Sequence, residues 1–371
     1  MKCRLLVAAA VLSLSAWVSN AAVSTAATKD VAVGNRYAIL ASLPGPDGMW
    51  DYASVDSADR RLYLAQTENI SVLDLGGATA WTEIRAPGAT WHGVVPLESR
   101  GLLLATNGQA HAVVMFDARS GETVATVPTD PGHRSALTGK MALFAGLADP
   151  DALVADPKSG LVAAVNGGSG EVVFVDVDRK TVVGRTHVGG KLEFAVADGK
   201  GSLYVNVQTA HEIAVIDTLV FKVTRRIPMP GCVEPKGLAY DPSTDLLISG
   251  CDNEIAKLFF AQTGHPLVSL KIGRGADAVM IDRGRHRAFI AAGADAILSI
   301  FDIKDPEHIL MLQTLSTENG TRLGAVDPQT GLLYLPSGKL GPPIAPRPWP
   351  SVLPGSFHVL VVGLNETARD R

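Results

Sequence analysis

Seven polar residues recur about once every forty positions along this 371-residue chain: Asp51, His92, Asp151, Glu193, Glu234, Asp277 and Arg322. Five are carboxylates and one is an imidazole, so together they could bind Ca²⁺, Mg²⁺ or another divalent cation, mainly through oxygen ligands. Each stands where an apolar segment begins. If those segments are strands around a channel, their starts rim its mouth. A water-filled mouth would also solvate ionisable groups with no ligand at all, and seven starts spread around a ring are too far apart to share one ion. Trp50 and Trp91 adjoin two of the seven. Exposed, they would stack on a ligand; packing between neighbouring elements is the role expected of them.

Other chemistry is sparse. The chain has no G-x-S-x-G elbow, H-E-x-x-H, Walker loop, EF-hand pattern or C-x-x-C-H. His111 and His211 fall in equivalent positions of the sequence repeat (GQAHAVV and QTAHEIA), which accounts for both without a shared ligand. Apart from a divalent cation at the mouth, no cofactor is expected.

The elements that must position these residues emerge from a repeat. Leu192 to Gly231 holds a turn cluster (DGKG), an apolar strand (SLYVNV), a polar connection, a strand ending in Asp (EIAVID), a turn and a fourth strand (KVTRRIPM). The same order recurs along the chain. The residues ending each third strand are Asp74, Asp117, Asp176, Asp217, Ala261, Asp302 and Gly363, with spacings of 43, 59, 41, 44, 41 and 61. Four short strands per roughly 42 residues is the period of a β-propeller blade. Seven units predict an all-β, seven-bladed propeller of four-stranded blades. The last unit lacks a fourth strand, and RYAILASLPG (Arg36 to Gly45) has the matching apolar-then-Pro-Gly form. The N-terminal segment is therefore predicted to close the ring on blade seven and to cover its open edge.

The turn-and-strand pattern resembles the YVTN-type propeller family of secreted and cell-surface proteins, whose repeat reads D-P-x-x-G, then L-Y-V, then V-x-V-I-D. Here Asp327-Pro328 with Leu333-Tyr334, Leu203-Tyr204-Val205 with Val215-Ile216-Asp217, and Asp156-Pro157 with Val173 to Asp176 carry the likeness. Blade two departs from it with PLESRG, and blade six with IDRGRH. The resemblance implies the fold; members of the family serve many roles, so it implies no single activity.

The two long spacings mark insertions, Asp130 to Asp149 and Gly338 to Gly355. In a propeller both fall on one face, the first between blades two and three, the second between the second and third strands of blade seven. Loops of this length in compact domains commonly carry function. The second has six prolines and Trp349, and is expected as a polyproline stretch that offers an aromatic to a partner.

The first residues set the compartment. Lys2 and Arg4, the apolar run Leu5 to Val18 and the small residues of SNAAVSTAAT form a secretory signal, with cleavage expected after Ala21, Ala22, Ala26 or Ala27. Taking residues 1–27 as signal leaves 28–371 as one propeller domain with 31 basic and 37 acidic side chains. That acidic balance disfavours nucleic acid, and no later apolar run would span a membrane. A periplasmic or extracellular monomer is expected. Cys232 and Cys251, the two cysteines beyond the signal, are expected to pair in an oxidising compartment. They flank one antiparallel strand pair on the insertion-bearing face.

Two functions remain open. One is a binding or scaffolding propeller whose insertion-bearing face takes a protein or small-molecule ligand. The other is a propeller enzyme, lactonase-like or lyase-like and metal-dependent, working at the mouth; it requires at least three rim ligands able to converge on one ion.

Overall fold

The computed structural model describes residues 36–77, 80–86, 89–130, 150–344 and 350–365. The expected signal segment, nearly all of the first insertion, and Trp349 lie outside the described residues. Seven four-stranded antiparallel sheets follow one another, with a separate two-stranded hairpin. The first strands of the blades are Trp50–Asp56, Trp91–Leu97, Leu153–Ala155, Leu192–Ala197, Pro235–Asp241, Ala276–Asp282 and Ala325–Val326. Blade seven is completed by Leu333–Ser337, His358–Leu364 and the N-terminal strand Tyr37–Pro44, which pairs with His358–Leu364. Ring closure therefore takes the expected form. The closing strand is also clamped to blade six: Tyr37 N–H donates to Gln313 Oε1 (2.9 Å), and Gln313 Nε2 donates to the Tyr37 carbonyl (2.8 Å).

The apolar pattern of each blade follows from its place in the ring. Second strands such as Leu102–Asn107 and third strands such as Ala112–Asp117 are buried on both faces, because a neighbouring blade covers each side. Strands covered on both faces read as unbroken apolar runs. Fourth strands such as Lys222–Pro228 alternate between exposed and half-buried residues, since they form the outer edge. The hydrophobic core is accordingly a set of clusters, one wedge between each pair of adjacent blades. The wedge between blades seven and one, built around Trp50, Tyr334 and Phe357, completes the ring.

The Asp-Pro turns have a structural cause. Asp156, Asp241 and Asp327 are buried, and each carboxylate accepts a hydrogen bond from a backbone N–H of its own turn. Two of them also tie blades together: Thr218 of blade four donates to Asp156 (2.7 Å), and Arg60 of blade one pairs with Asp327.

The second insertion departs from its expected form. Leu340–Pro343 pairs antiparallel with Pro350–Val352, so its two flanks are a β-hairpin rather than a polyproline stretch. Proline tolerates such an edge because a two-stranded ribbon leaves half its backbone groups unpaired. Asp47 holds the base of this insertion, accepting from the backbone N–H groups of Gly355 (2.6 Å) and Phe357 (3.2 Å).

Candidate functional site

In five of the blades the first strand is irregular at its start. The pairing register with the second strand slips between Trp50 and Ala53, Trp91 and Val94, Leu192 and Ala195, Pro235 and Leu238, and Ala276 and Ala278. Such β-bulges free one or two residues from the ladder and re-aim their side chains. Asp51, His92, Glu193 and Asp277 are among the freed residues; in blade five the freed residues are Lys236 and Gly237, so Lys236 holds the equivalent position and the expected Glu234 lies just before the strand. Asp151 and Arg322 occupy the matching place just before the short first strands of blades three and seven.

Their side chains meet at one cavity of about 440 Å³, lined by all seven of Asp51, His92, Asp151, Glu193, Glu234, Asp277 and Arg322. That volume lies within the range of small-molecule sites. The lining also includes Lys191, Lys236, Tyr52, Phe194 and Gln208. Sequence reasoning missed these because it took a single residue at each strand start; the bulges bring Tyr52, Phe194 and Lys236 to the mouth, Lys191 just precedes its strand, and Gln208 comes from the turn after the second strand of blade four. Trp50 and Trp91 are almost fully buried, each against a phenylalanine (Phe357 and Phe116, ring centroids 5.6 Å apart in both pairs). They pack between blades.

The charges are distributed unevenly. On blades four to seven the cations have close partners: Lys191 with Glu193 (2.8 Å), Lys236 with Asp252 (3.1 Å) and Arg322 with Asp277 (2.9 Å). Gln208 Nε2 adds a hydrogen bond to Glu193 (3.0 Å). On blades one to three a single imidazole faces two carboxylates. His92 Nδ1 lies 2.8 Å from Asp51 Oδ2 and 4.0 Å from Asp151 Oδ1. These three residues offer ligand atoms all within 4.8 Å of one another. The seven rim residues do not converge as a group, but three from adjacent blades do, which keeps the metal-dependent reading open.

Protonation follows from this crowding. Burial draws the His92 imidazole down, but its hydrogen bond with Asp51 and the charges of Asp51 and Asp151 outweigh that and raise it to about 9. Asp151 is raised to about 8 by burial and the charge of Asp51, against the opposing charge of His92. Burial also raises Glu193, with Lys191 opposing. Lys236 is raised because Asp277, Asp252 and Glu193 outweigh its burial.

The cavity belongs to the decorated face. Cys232 and Cys251 form a disulfide with Cα atoms 5.5 Å apart, and Glu234, two residues on, lines the mouth. Leu340 and Val352 of the hairpin pack into the wedge that holds Trp50, beside Asp51. The first insertion ends at Asp149, two residues before Asp151. His111 and His211 have φ of 49° and 52° and fill the left-handed position of the turn between second and third strands, as Gly170 does in blade three. Their equivalence is therefore one of turn geometry.

Among the described residues no helix is long and apolar enough to cross a membrane. No family model matches the chain, and a comparison with curated proteins gives no match. Among solved structures, a chain from "Crystal Structure of Mitotic Checkpoint Complex" is similar over 88% of this chain and 95% of that one, with a TM-score of 0.69 and 13% identity. A likeness at that identity is one of fold, and it places the chain among seven-bladed β-propellers.

Proposed function

We propose that this chain is an exported binding propeller of the YVTN type, with its ligand site in the mouth cavity on the insertion-bearing face. The observation that carries this reading is the cavity itself: in a repeat fold, each of the seven blades contributes at least one residue at or just before the start of its first strand to one chamber of ligand size. Its lining combines five carboxylates with Lys191, Lys236 and Arg322, so it favours a polar ligand that presents a cationic group to blades one to three. The hairpin and the disulfide would steady the rim around such a ligand. Export is supported by the basic, apolar and small-residue order of residues 1–27 and by the Cys232–Cys251 bridge.

The test is native purification from an exported fraction, followed by denaturing release and mass spectrometry of whatever leaves with the protein. A species stoichiometric with the wild type and lost from an Asp277→Ala, Arg322→Ala double variant supports the reading. Equal recovery from both proteins, or no released species, contradicts it.

The convergence of Asp51, His92 and Asp151 favours a second reading, a metal-dependent hydrolase or lyase at the same mouth. Turnover of a lactone or ester panel that depends on both His92 and added metal would favour it over simple binding.

A further inference from the structure

We propose that Asp51, His92 and Asp151 form a site for one divalent transition-series cation, of the Mn²⁺, Co²⁺ or Zn²⁺ class, at the mouth of the propeller. The inference deepens the ligand-site reading above and rests on the mouth being where this chain binds, but it does not require a larger ligand.

The donor set comes first. Imidazole nitrogen with two carboxylates suits metals of intermediate softness better than Ca²⁺ or Mg²⁺, which take oxygen almost exclusively. Ligand atoms about 2.1 Å from a metal at tetrahedral or octahedral angles lie roughly 3.0 to 3.4 Å apart. The separations from His92 Nδ1 are 2.8 Å to Asp51 and 4.0 Å to Asp151, so small side-chain adjustments suffice.

The backbone beneath the set is fixed. Gly93 N–H (3.1 Å) and the Thr106 hydroxyl (2.6 Å) both donate to the Asp151 carbonyl, while Asp151 N–H donates to Val165 (2.8 Å). Blade two therefore holds Asp151 of blade three at a set distance from its own His92. Preorganisation of this kind is what a metal site needs from its scaffold.

A further observation points to a cation. Among the described residues, His92 at 4.0 Å is the only opposite charge within reach of the Asp151 carboxylate, whereas Glu193 and Asp277 each have a cation below 3 Å. His92 Nε2 is sealed from solvent with no hydrogen-bond partner among the described residues. The imidazole is thus not held as a bridge into the core. Its polar contacts run through Nδ1, which lies 2.8 Å from Asp51 Oδ2 and 4.0 Å from Asp151 Oδ1, so the three ligand atoms face one another.

The experiment uses the full exported chain without an affinity tag, stripped with chelator and returned to chelator-free buffer. Mn²⁺ titration calorimetry gives stoichiometry and affinity, and Co²⁺ absorption reports nitrogen ligation. The expected result is one cation per chain, with affinity at least 100-fold weaker in His92→Ala and in Asp151→Asn, and within threefold of wild type in Lys222→Gln, a charge removed from the exposed outer strand of blade four, away from the mouth. Circular dichroism melting confirms that each variant is folded. A wild type that binds no stoichiometric cation, a His92→Ala variant that binds as tightly as wild type, or Ca²⁺ bound as tightly as Mn²⁺ would each overturn the site. If the cation fails while a released species still depends on Asp277 and Arg322, the metal inference falls and the ligand reading stands. A bound cation with no such species gives the reverse.

Discussion

Tyr52 and Phe194 meet across the propeller channel with ring centroids 4.5 Å apart. They belong to blades one and four, which stand on opposite sides of a seven-membered ring, and each follows a mouth carboxylate, Asp51 or Glu193, by one residue. One bulge thus turns a charged side chain to the mouth and sends the next across the channel. Burial, with the charges of Asp151, Asp51, Glu193 and Asp277, holds the Tyr52 phenol well above its ordinary value, so it stays neutral and able to donate.

Removing one half of this pair should loosen the chamber. Phe194→Ala is expected to lower stability by about 2 kcal/mol, below the range for a fully buried phenylalanine because the ring is half-buried. Tyr52→Phe keeps the ring contact and should change stability by less than about 1 kcal/mol. Urea unfolding of both variants checks the contrast; equal losses would mean that the phenol, not the ring contact, holds the channel.

Gly93 links fold to site. A Cβ there would lie 2.7 Å from the Asp151 carbonyl oxygen and 2.9 Å from the Leu153 nitrogen, both backbone atoms that cannot swing aside. Gly93→Ala should therefore push blades two and three apart, destabilising by roughly 2 kcal/mol and moving Asp151 away from His92. Thermal melting together with the pH titration of the His92 ring by NMR reads both effects. An unchanged melting temperature would show that the two first strands do not need this close approach.

The bulges also explain what was and was not legible in the sequence. Second and third strands are covered on both sides, so their apolar runs and terminal Asp residues set the period unmistakably; Asp74, Asp117, Asp176, Asp217 and Asp302 do end third strands. The closing strand was legible because blade seven had no other fourth strand. The grouping of the mouth residues was legible only as a ring of strand starts. That Lys236, Tyr52 and Phe194 join them depends on register slips that leave no mark in composition. That Asp51, His92 and Asp151 lie close while Glu234 and Arg322 have other neighbours depends on spacing between blades, which a repeat of about 42 residues does not encode. The hairpin flanks were hidden by proline, whose usual preference is the extended unpaired form.

The disulfide closes a loop of 19 residues at the rim of blade five. Replacing both cysteines by serine should lower stability by about 3 kcal/mol in the chain-entropy picture. Reduction of the wild type should produce the same shift in the urea midpoint. A double-serine variant as stable as the oxidised protein would show that the strand pair alone sets the rim.

Acid should weaken the turns that join the blades. Hydrogen bonds from Ser159, Thr218 and the turn backbone overcome burial and hold Asp156 below the usual carboxylate range; Arg60, Thr330 and Gln329 do the same for Asp327. Because the folded values lie below the unfolded ones, this stabilisation is whole above about pH 4 and drains away as pH falls through the lowered values. Asp327→Asn should be less stable than wild type by about 3 kcal/mol at pH 6, since it leaves Arg60 without its charge partner. The difference should shrink markedly by pH 2.5. Urea midpoints at the two pH values check this, and a gap that stays constant would remove Asp327 as a source of acid sensitivity.

The most direct measurement of the mouth as a binding site is anomalous diffraction at the manganese edge from crystals grown with Mn²⁺. The account predicts one strong peak per chain, about 2.1 to 2.3 Å from His92 Nδ1 and from carboxylate oxygens of Asp51 and Asp151. A mouth without anomalous signal, with His92 still hydrogen-bonded to Asp51 and manganese found only at surface carboxylates, would contradict it.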